Sequence, residues 1–381
     1  MAQMAFLGGP QMLIFVLCLL SYAFLAGWLA FFKVPFLPKR TIEENPEAEI
    51  SIIIPARNEE SNLPRLLTSL KQQKLQPKEV IIVDDNSEDN TVKIAEKFGA
   101  NVVKKNEKES VVGKSAACLR GAKAATGEWL LFLDADTYLN DPESLQRFVL
   151  AYRAQDCSGI LSVQPYHTVQ RLYESLSIVF NIMVLAGMNV FTVFKNQFTA
   201  AGAFGPCLLC SREQYFLIGG HEESETTLME DFVLGKKFQQ QGLALKLYAG
   251  KEVVHFRMYS EGIQQLIEGW SKNFATASQS THPVVLLLIV SWISGGIGTG
   301  IFLIVSLITA SNSWLIGAVM MYFIYLAQFF VFAKRVGHFN RLAILSYPIL
   351  FLFFIVLFSW SAIQTHLLGT VMWKGRKIKI E

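Results

Sequence analysis

Charge is missing from three long stretches of this 381-residue chain: no Asp, Glu, Lys or Arg precedes Lys33, and none falls between Pro283 and Lys334 or between Arg341 and Lys374. With 52% hydrophobic residues, 17% charged residues and a mean hydropathy of +0.34, this excludes a wholly water-exposed protein. Cysteine is also scarce. The five present (Cys18, Cys118, Cys157, Cys207, Cys210) show no repeated spacing, which excludes a disulfide framework and fits a reducing compartment. The lone Cys207-x-x-Cys210 has no second pair to complete a zinc site and reads as packing. Gly113-Lys114 has Lys108 where a Walker loop needs its leading glycine, so an ATPase reading fails. Nor is there a basic face for nucleic acid, since residues 33–283 carry 27 basic against 30 acidic residues.

The uncharged stretches read as membrane segments. Residues 11–32, 284–310 and 314–333 are each long enough to cross about 30 Å of hydrocarbon. Lys33, Lys39 and Arg40 follow the first span, so the positive-inside rule expects the downstream domain in the cytoplasm. Ser311–Ser313 suits a hairpin turn, and Lys334, Arg335 and Arg341 mark the return. A further crossing by residues 342–373 would strand the basic Lys374, Arg376, Lys377 and Lys379 outside. Pro348 and the polar run from Ser361 to His366 instead favour a re-entrant or interfacial pair beside anionic lipid. The expected organisation is an anchor over 1–40, an α/β domain over 41–260, an interfacial amphipathic helix over 261–283 and a hydrophobic block over 284–381. No charge lies inside a span, which weighs against a transporter.

From Glu49 the chain alternates short β-branched runs with helical stretches, the pattern of a mainly parallel, Rossmann-like sheet covered by helices. Strands are expected at 50–54 (stopped by Pro55), 80–83, 102–103 and 128–133. Ligands of such sheets bind at the carboxyl ends of strands, and polar residues collect there. Pro55, Ala56, Arg57, Asn58 and Glu59 follow the first strand; Asp84 and Asp85 follow the second. Gly113 permits close backbone approach, and Lys114 can meet phosphate as a point charge. Asp134 and Asp136 flank one residue after a buried strand, a pattern that holds a hard divalent cation together with substrate phosphates. Glu230 and Asp231 open an amphipathic helix, where a carboxylate can serve as a general base. His255 is a candidate third metal ligand. His221, after Gly219 and Gly220, reads equally as a ligand-side residue or a plain turn.

In order and spacing, IIIPARNEE, VDDNS, GKSAACLRGAKAATGEWLLFLDAD, GGH and MEDFVLGKKFQQQG resemble family 2 glycosyltransferases of the GT-A fold over about Glu49–Tyr259. LSVQPYH, GMNVF, FRMYSEG and WKGRK extend the resemblance to the membrane-anchored glycosyltransferases of staphyloxanthin-type carotenoid synthesis, which act on 4,4'-diaponeurosporenoate. That resemblance implies inverting transfer of a hexose, glucose first, from a UDP-sugar to a lipophilic acceptor. Pro55, Ala56, Arg57 and Glu59 would border the nucleotide, Asp85 or Asp84 the uracil edge, and Lys114 the donor. Asp134 and Asp136 would hold the diphosphate through Mg2+ or Mn2+, with Asp231 as base and Glu230 beside it. Gln265 and Trp270 fall on a QxxRW-like element, with Gly269 where arginine is usual; Lys272, Arg257 and Arg171 are the substitutes. A glycolipid synthase using a hydroxyl lipid (diacylglycerol, ceramide or polyprenyl phosphate) is the alternative within the same class.

Overall fold

A computed structural model describes residues 9–38, 48–105, 113–222, 230–271, 278–368, 370–373 and 376–379. The chain forms two compact units. One comprises Pro35–Thr168 and Ala200–Met258; the other comprises Met1–Val34, Val169–Thr199 and Tyr259–Glu381. Residues 169–199, which the sequence reading keeps in the α/β domain, thus group with the apolar helices.

The first unit is built on a seven-stranded sheet. Its strands are β1 (Ile50–Ala56), β2 (Glu79–Asp84), β3 (Asn101–Lys104), β4 (Trp129–Leu133), β6 (Ile160–Gln164), β8 (Cys207–Ser211) and β9 (Leu245–Ala249), in the order β3-β2-β1-β4-β8-β6-β9. Only β8 runs antiparallel, against β4 and β6. β1 and β4 are buried along almost their whole length, as parallel strands covered on both faces must be. One layer packs Leu63, Leu66, Leu67 and Leu70 against Ile52, Ile54 and Ile82; the other packs Ala117, Cys118 and Ala122 against Ile53, Ile81 and Val83. Gly121 lets the Lys114–Ala124 helix lie flush, because a Cβ there would collide with Ile53.

Pro55 does not stop β1; the strand runs on through Ala56. Ala56 turns its carbonyl to Asp85 N–H of the β2 side at 2.9 Å. Pro55 therefore faces β4, whose pairing with β1 ends at Ile53, so its missing N–H falls where no partner is needed. A small second sheet pairs β10 (Val254–Phe256) antiparallel with β5 (Thr137–Leu139) and parallel with β7 (Tyr166–Thr168).

In the other unit, the helices Pro10–Ala30, Pro283–Thr309 and Asn312–Val336 have 21, 27 and 25 residues and are long and apolar enough to cross a membrane. Small residues bring them together: a Cβ at Gly27 would meet the Trp292 ring, and one at Gly295 would meet Tyr325 and Ala23. Trp292 and Gln328, buried here, are paired with each other and with the backbone, as a dry interior demands. Trp292 Nε1 donates to Gln328 Oε1 at 2.8 Å, and Gln328 Nε2 donates to Phe24 O at 2.7 Å. The 342–373 region contains a 17-residue apolar helix, Tyr347–Ile363, and a strand, Thr370–Trp373, that pairs antiparallel with Arg376–Lys379 beyond it.

Candidate active site

β1, β2 and β4 are parallel, so Ala56, Asp84 and Leu133 end on the same edge of the sheet. The loops after β1 and β2 are stitched to each other. Asn58 N donates to Ser87 Oγ (3.0 Å), Glu59 N to Thr91 Oγ1 (2.8 Å) and Glu60 N to Asp89 Oδ2 (3.0 Å); Asn58 Oδ1 accepts from Glu88 N (2.9 Å). Asn58 has φ 53°, a left-handed conformation that asparagine tolerates. Glu59 Oε2 accepts from Asn62 Nδ2 at 2.8 Å. Asp84 Oδ1 accepts from Ser87 N (3.2 Å), and Asp85 Oδ2 accepts from Gly113 N (3.2 Å). Asp85 thereby fastens the loop that leads into the Lys114 helix, where Gly113 stands at φ 115°. The other oxygen of Asp85 is buried without a hydrogen bond, 3.6 Å from an Arg120 nitrogen.

Lys114 is the centre of the cluster. Its Nζ lies 2.8 Å from Asp134 Oδ1 and 3.1 Å from Asp231 Oδ2, and donates to Gly205 O at 3.4 Å. One ammonium thus joins carboxylates from the turn after β4 and from the Glu230–Gln240 helix. That helix is pressed onto residues 202–205 by two glycines: a Cβ at Gly202 would strike Phe232, and one at Gly235 would strike Ala203. At Gly205 a Cβ would run into the Asp231 carboxylate itself. The side chains of Lys114, Asp134 and Asp231 are 28%, 27% and 14% exposed, so the cluster is sheltered yet reachable.

Burial opposes the Lys114 charge, but Asp134, Asp231 and Glu230 offset it and hold the ammonium well above the usual lysine range. Asp134 is pushed up by burial, and the Asp231 charge adds to the rise, against the pull of Lys114. Asp231 shows the opposite balance. Burial would raise it, yet Lys114 and then His221 draw its carboxyl down to about 2.

Residues 51–215 match the Glycosyl transferase family 2. The 4,4'-diaponeurosporenoate glycosyltransferase of Staphylococcus aureus (strain USA300) is 38% identical over 356 residues, covering 93% of this chain and 94% of that one. The chain belongs to glycosyl transferase family 2. The S. aureus strain MRSA252 protein of the same name is also 38% identical, over 357 residues. The mannosyltransferase PcManGT from Pyrobaculum calidifontis, solved with GDP-Man and Mn2+, shares the fold of this family 2 glycosyltransferase, GT-A, at a TM-score of 0.53 and 16% identity, over 93% of this chain and 99% of that one.

The two carboxylates that the sequence reading gives to a cation in this glycosyltransferase follow β4 directly. After β4, Ala135 and Thr137 turn into the core, while Asp134 and Asp136 remain on the open face. Among the described residues no three His, Cys, Asp or Glu side chains gather into a protein-only cage. Two carboxylates on an accessible face fit a cation completed by substrate phosphates. His255, the third ligand in the sequence reading, is otherwise engaged. Its Nε2 donates to Lys251 O at 2.6 Å, and its Nδ1 lies 3.3 Å from Tyr138 Oη. Burial and the Arg65 guanidinium keep it neutral by depressing its pKa, against the pull of the Lys251 carbonyl.

Gln265 and Trp270 lie in the other unit of the glycosyltransferase, on the Ile263–Ser271 helix. Gln265 Nε2 donates to Glu261 Oε2 (3.1 Å), and its Oε1 accepts from Glu261 N (3.2 Å). Trp270 stacks on Phe180 with centroids 4.8 Å apart and donates to Ser177 Oγ at 3.0 Å. That burial replaces the free apolar face expected of an interfacial helix, although Ile263 remains exposed. Of the substitutes for the missing arginine, Lys272 lies outside the described residues, while Arg257 N donates to Asp136 O at 3.3 Å.

One participant escaped the sequence reading: Gly205 sits in an unremarkable AGAFGPC stretch. His221, which the sequence leaves open between a ligand-side residue and a plain turn, has its Nε2 3.8 Å from Asp231 Oδ1.

Proposed function

We propose that the protein transfers a hexose, glucose first, from a UDP-sugar to a lipophilic acceptor drawn from the membrane, a carotenoid carboxylate of the diaponeurosporenoate kind. The observation that carries this reading is the 38% identity over 93% of the chain, apolar helices included. The α/β unit works on the cytoplasmic side, in keeping with Lys33, Lys334 and Arg335 beside the spans.

In this reading Pro55, Ala56, Arg57 and Glu59 border the nucleotide. Asp85, which fastens Gly113, or Asp84 borders the uracil edge. Mg2+ or Mn2+, held by Asp134 and Asp136, supplies positive charge to the departing diphosphate when bound. Lys114 brings a second positive charge to the same place, fixed before the donor arrives. The acceptor oxygen attacks C1 from the face opposite the leaving UDP, and the anomeric configuration inverts.

A carboxylate drawn down to about 2, as Asp231 is, is a weak proton acceptor. That suits an acceptor that arrives already ionised, for which no proton has to leave. A hydroxyl lipid makes the opposite demand, and the Glu230–Asp231 pair at the start of its helix keeps that second reading alive. The test incubates membranes containing the protein with UDP-glucose and either a carotenoid acid or diacylglycerol, and identifies the product by mass. Glucosyl ester from the carotenoid acid is expected. Sugar appearing only on the hydroxyl lipid overturns the acceptor assignment, and no UDP release with either overturns the function.

A further inference from the structure

We propose that His221 is a positioning residue that acts on the reaction through Asp231, one end of a buried Tyr215–His221–Asp231 chain. The proposal rests on the reading above that Asp231 belongs to the active site.

Gly219 and Gly220 have φ of 75° and 49°, and a Cβ at Gly220 would collide with the Tyr215 ring. Only glycine lets the backbone fold back this tightly over Tyr215, and the turn delivers His221 to a site where it is fully buried. Tyr215 Oη lies 2.8 Å from His221 Nδ1 and also accepts from the His221 backbone N–H at 3.4 Å. With Oη accepting from the backbone, its own proton is directed to Nδ1. The imidazole hydrogen then sits on Nε2, which points at Asp231 Oδ1 from 3.8 Å. Phe132 stands edge-on to the imidazole with centroids 5.5 Å apart and the Tyr215 ring lies at 5.6 Å, so aromatic rings pack beside it.

Asp231 is therefore addressed by two cationic or donor groups on two oxygens: Lys114 on Oδ2 and His221 on Oδ1. Lys114 alone would leave the carboxylate free to swing about its bond to Cβ. With His221 opposite, the carboxylate plane is set before any substrate binds. Nothing else in the cluster needs His221, because Asp134 and the Gly205 carbonyl reach Lys114 directly.

A double-mutant cycle on the full-length protein in detergent or membranes tests this, with UDP release and the donor KM as readouts. His221→Ala is expected to lower kcat about 10²-fold, the usual cost of an ångström of misplacement, with the donor KM nearly unchanged. His221→Gln reaches toward the Nε2 position and should restore most of the loss; His221→Asn stays near Tyr215, falls short of Asp231 and should not. In an Asp231→Asn background, His221→Ala should have almost no further effect. Equal losses in both backgrounds, or equal rescue by Asn and Gln, would overturn the proposal. If Asp231→Asn alone left turnover normal, the active-site reading itself would fail instead. Should His221→Ala not accumulate in folded form, Tyr215→Phe replaces it: the untied imidazole should cost turnover in the native background and nothing beside Asp231→Asn.

Discussion

Lys114→Met is the most informative single change. It keeps the length and apolar stem of the side chain while deleting a charge that lies 2.8 Å and 3.1 Å from two carboxylates. Unit charges at about 4 Å attract by roughly 4 kcal/mol at an effective dielectric constant of 20. Desolvation offsets much of that in the native protein, but the variant keeps the desolvation of Asp134 and Asp231 and loses the attraction. Stranding buried charge by removing one partner costs about 3–5 kcal/mol. For a unit of this size, 1 kcal/mol is about 2–4 °C of melting temperature, so Lys114→Met should lower the apparent Tm of the α/β unit by roughly 6–20 °C at pH 7. The deficit should shrink toward pH 5, because Asp134, already raised by burial, takes up a proton and relieves the repulsion. Lys114→Arg, still cationic, should lose far less. The assay is a thermal melt of purified protein from pH 5 to 8, alongside UDP release. A Lys114→Met melt within 2 °C of the native protein at pH 7 would refute the claim that this ammonium holds the cluster together.

Other expectations are equally open to measurement. Asp136→Ala should abolish UDP release with donor and metal present while leaving the melting temperature close to native; normal turnover would remove Asp136 from the cation site. Gly205→Ala should push the Asp231 carboxylate off Lys114 and lower turnover about 10²-fold, with circular dichroism unchanged. For Asp231→Asn, turnover should fall about as far as for His221→Ala, about 10²-fold, with a carboxylic acid and further, toward about 10⁴-fold, with a hydroxyl acceptor, a difference that separates the two acceptor classes. His255 has a depressed pKa in the fold, so its neutral form is the stabilising one. That stability is present above the unfolded value of 6.5 and is lost as pH falls through the lower folded value. His255→Gln should flatten the melting temperature below pH 6.5, and an unchanged slope would contradict the buried, neutral assignment.

Most of the sheet was legible because buried parallel strands read as near-continuous apolar runs, such as Ile52–Ile54 and Leu130–Leu133. The rule that ligands gather at strand ends then pointed to Asp85, Lys114 and Asp134 without coordinates. What stayed hidden depends on contacts distant in sequence. Lys114 could be seen as a donor-side cation, but its bridge to Asp231 spans 117 residues and leaves no local pattern. His255 looked free because the carbonyl that takes its Nε2, that of Lys251, can be identified only from the turn before β10. Ile178–Ala186 was kept with the α/β domain because a nine-residue run, apolar but for Asn181, is too short to signal a membrane segment and suits a soluble core equally well.

That helix sits in the middle of the chain, and all but one of its nine residues are buried, with Phe180 against Trp270 and Phe354 from the C-terminal part. Trimming both ends to leave 35–258 would therefore not yield a water-soluble enzyme. It would strip this greasy rod of its neighbours and expose it, and the shortened protein should precipitate or demand detergent. Replacing 169–199 with a short polar linker offers a better route to a soluble catalytic half.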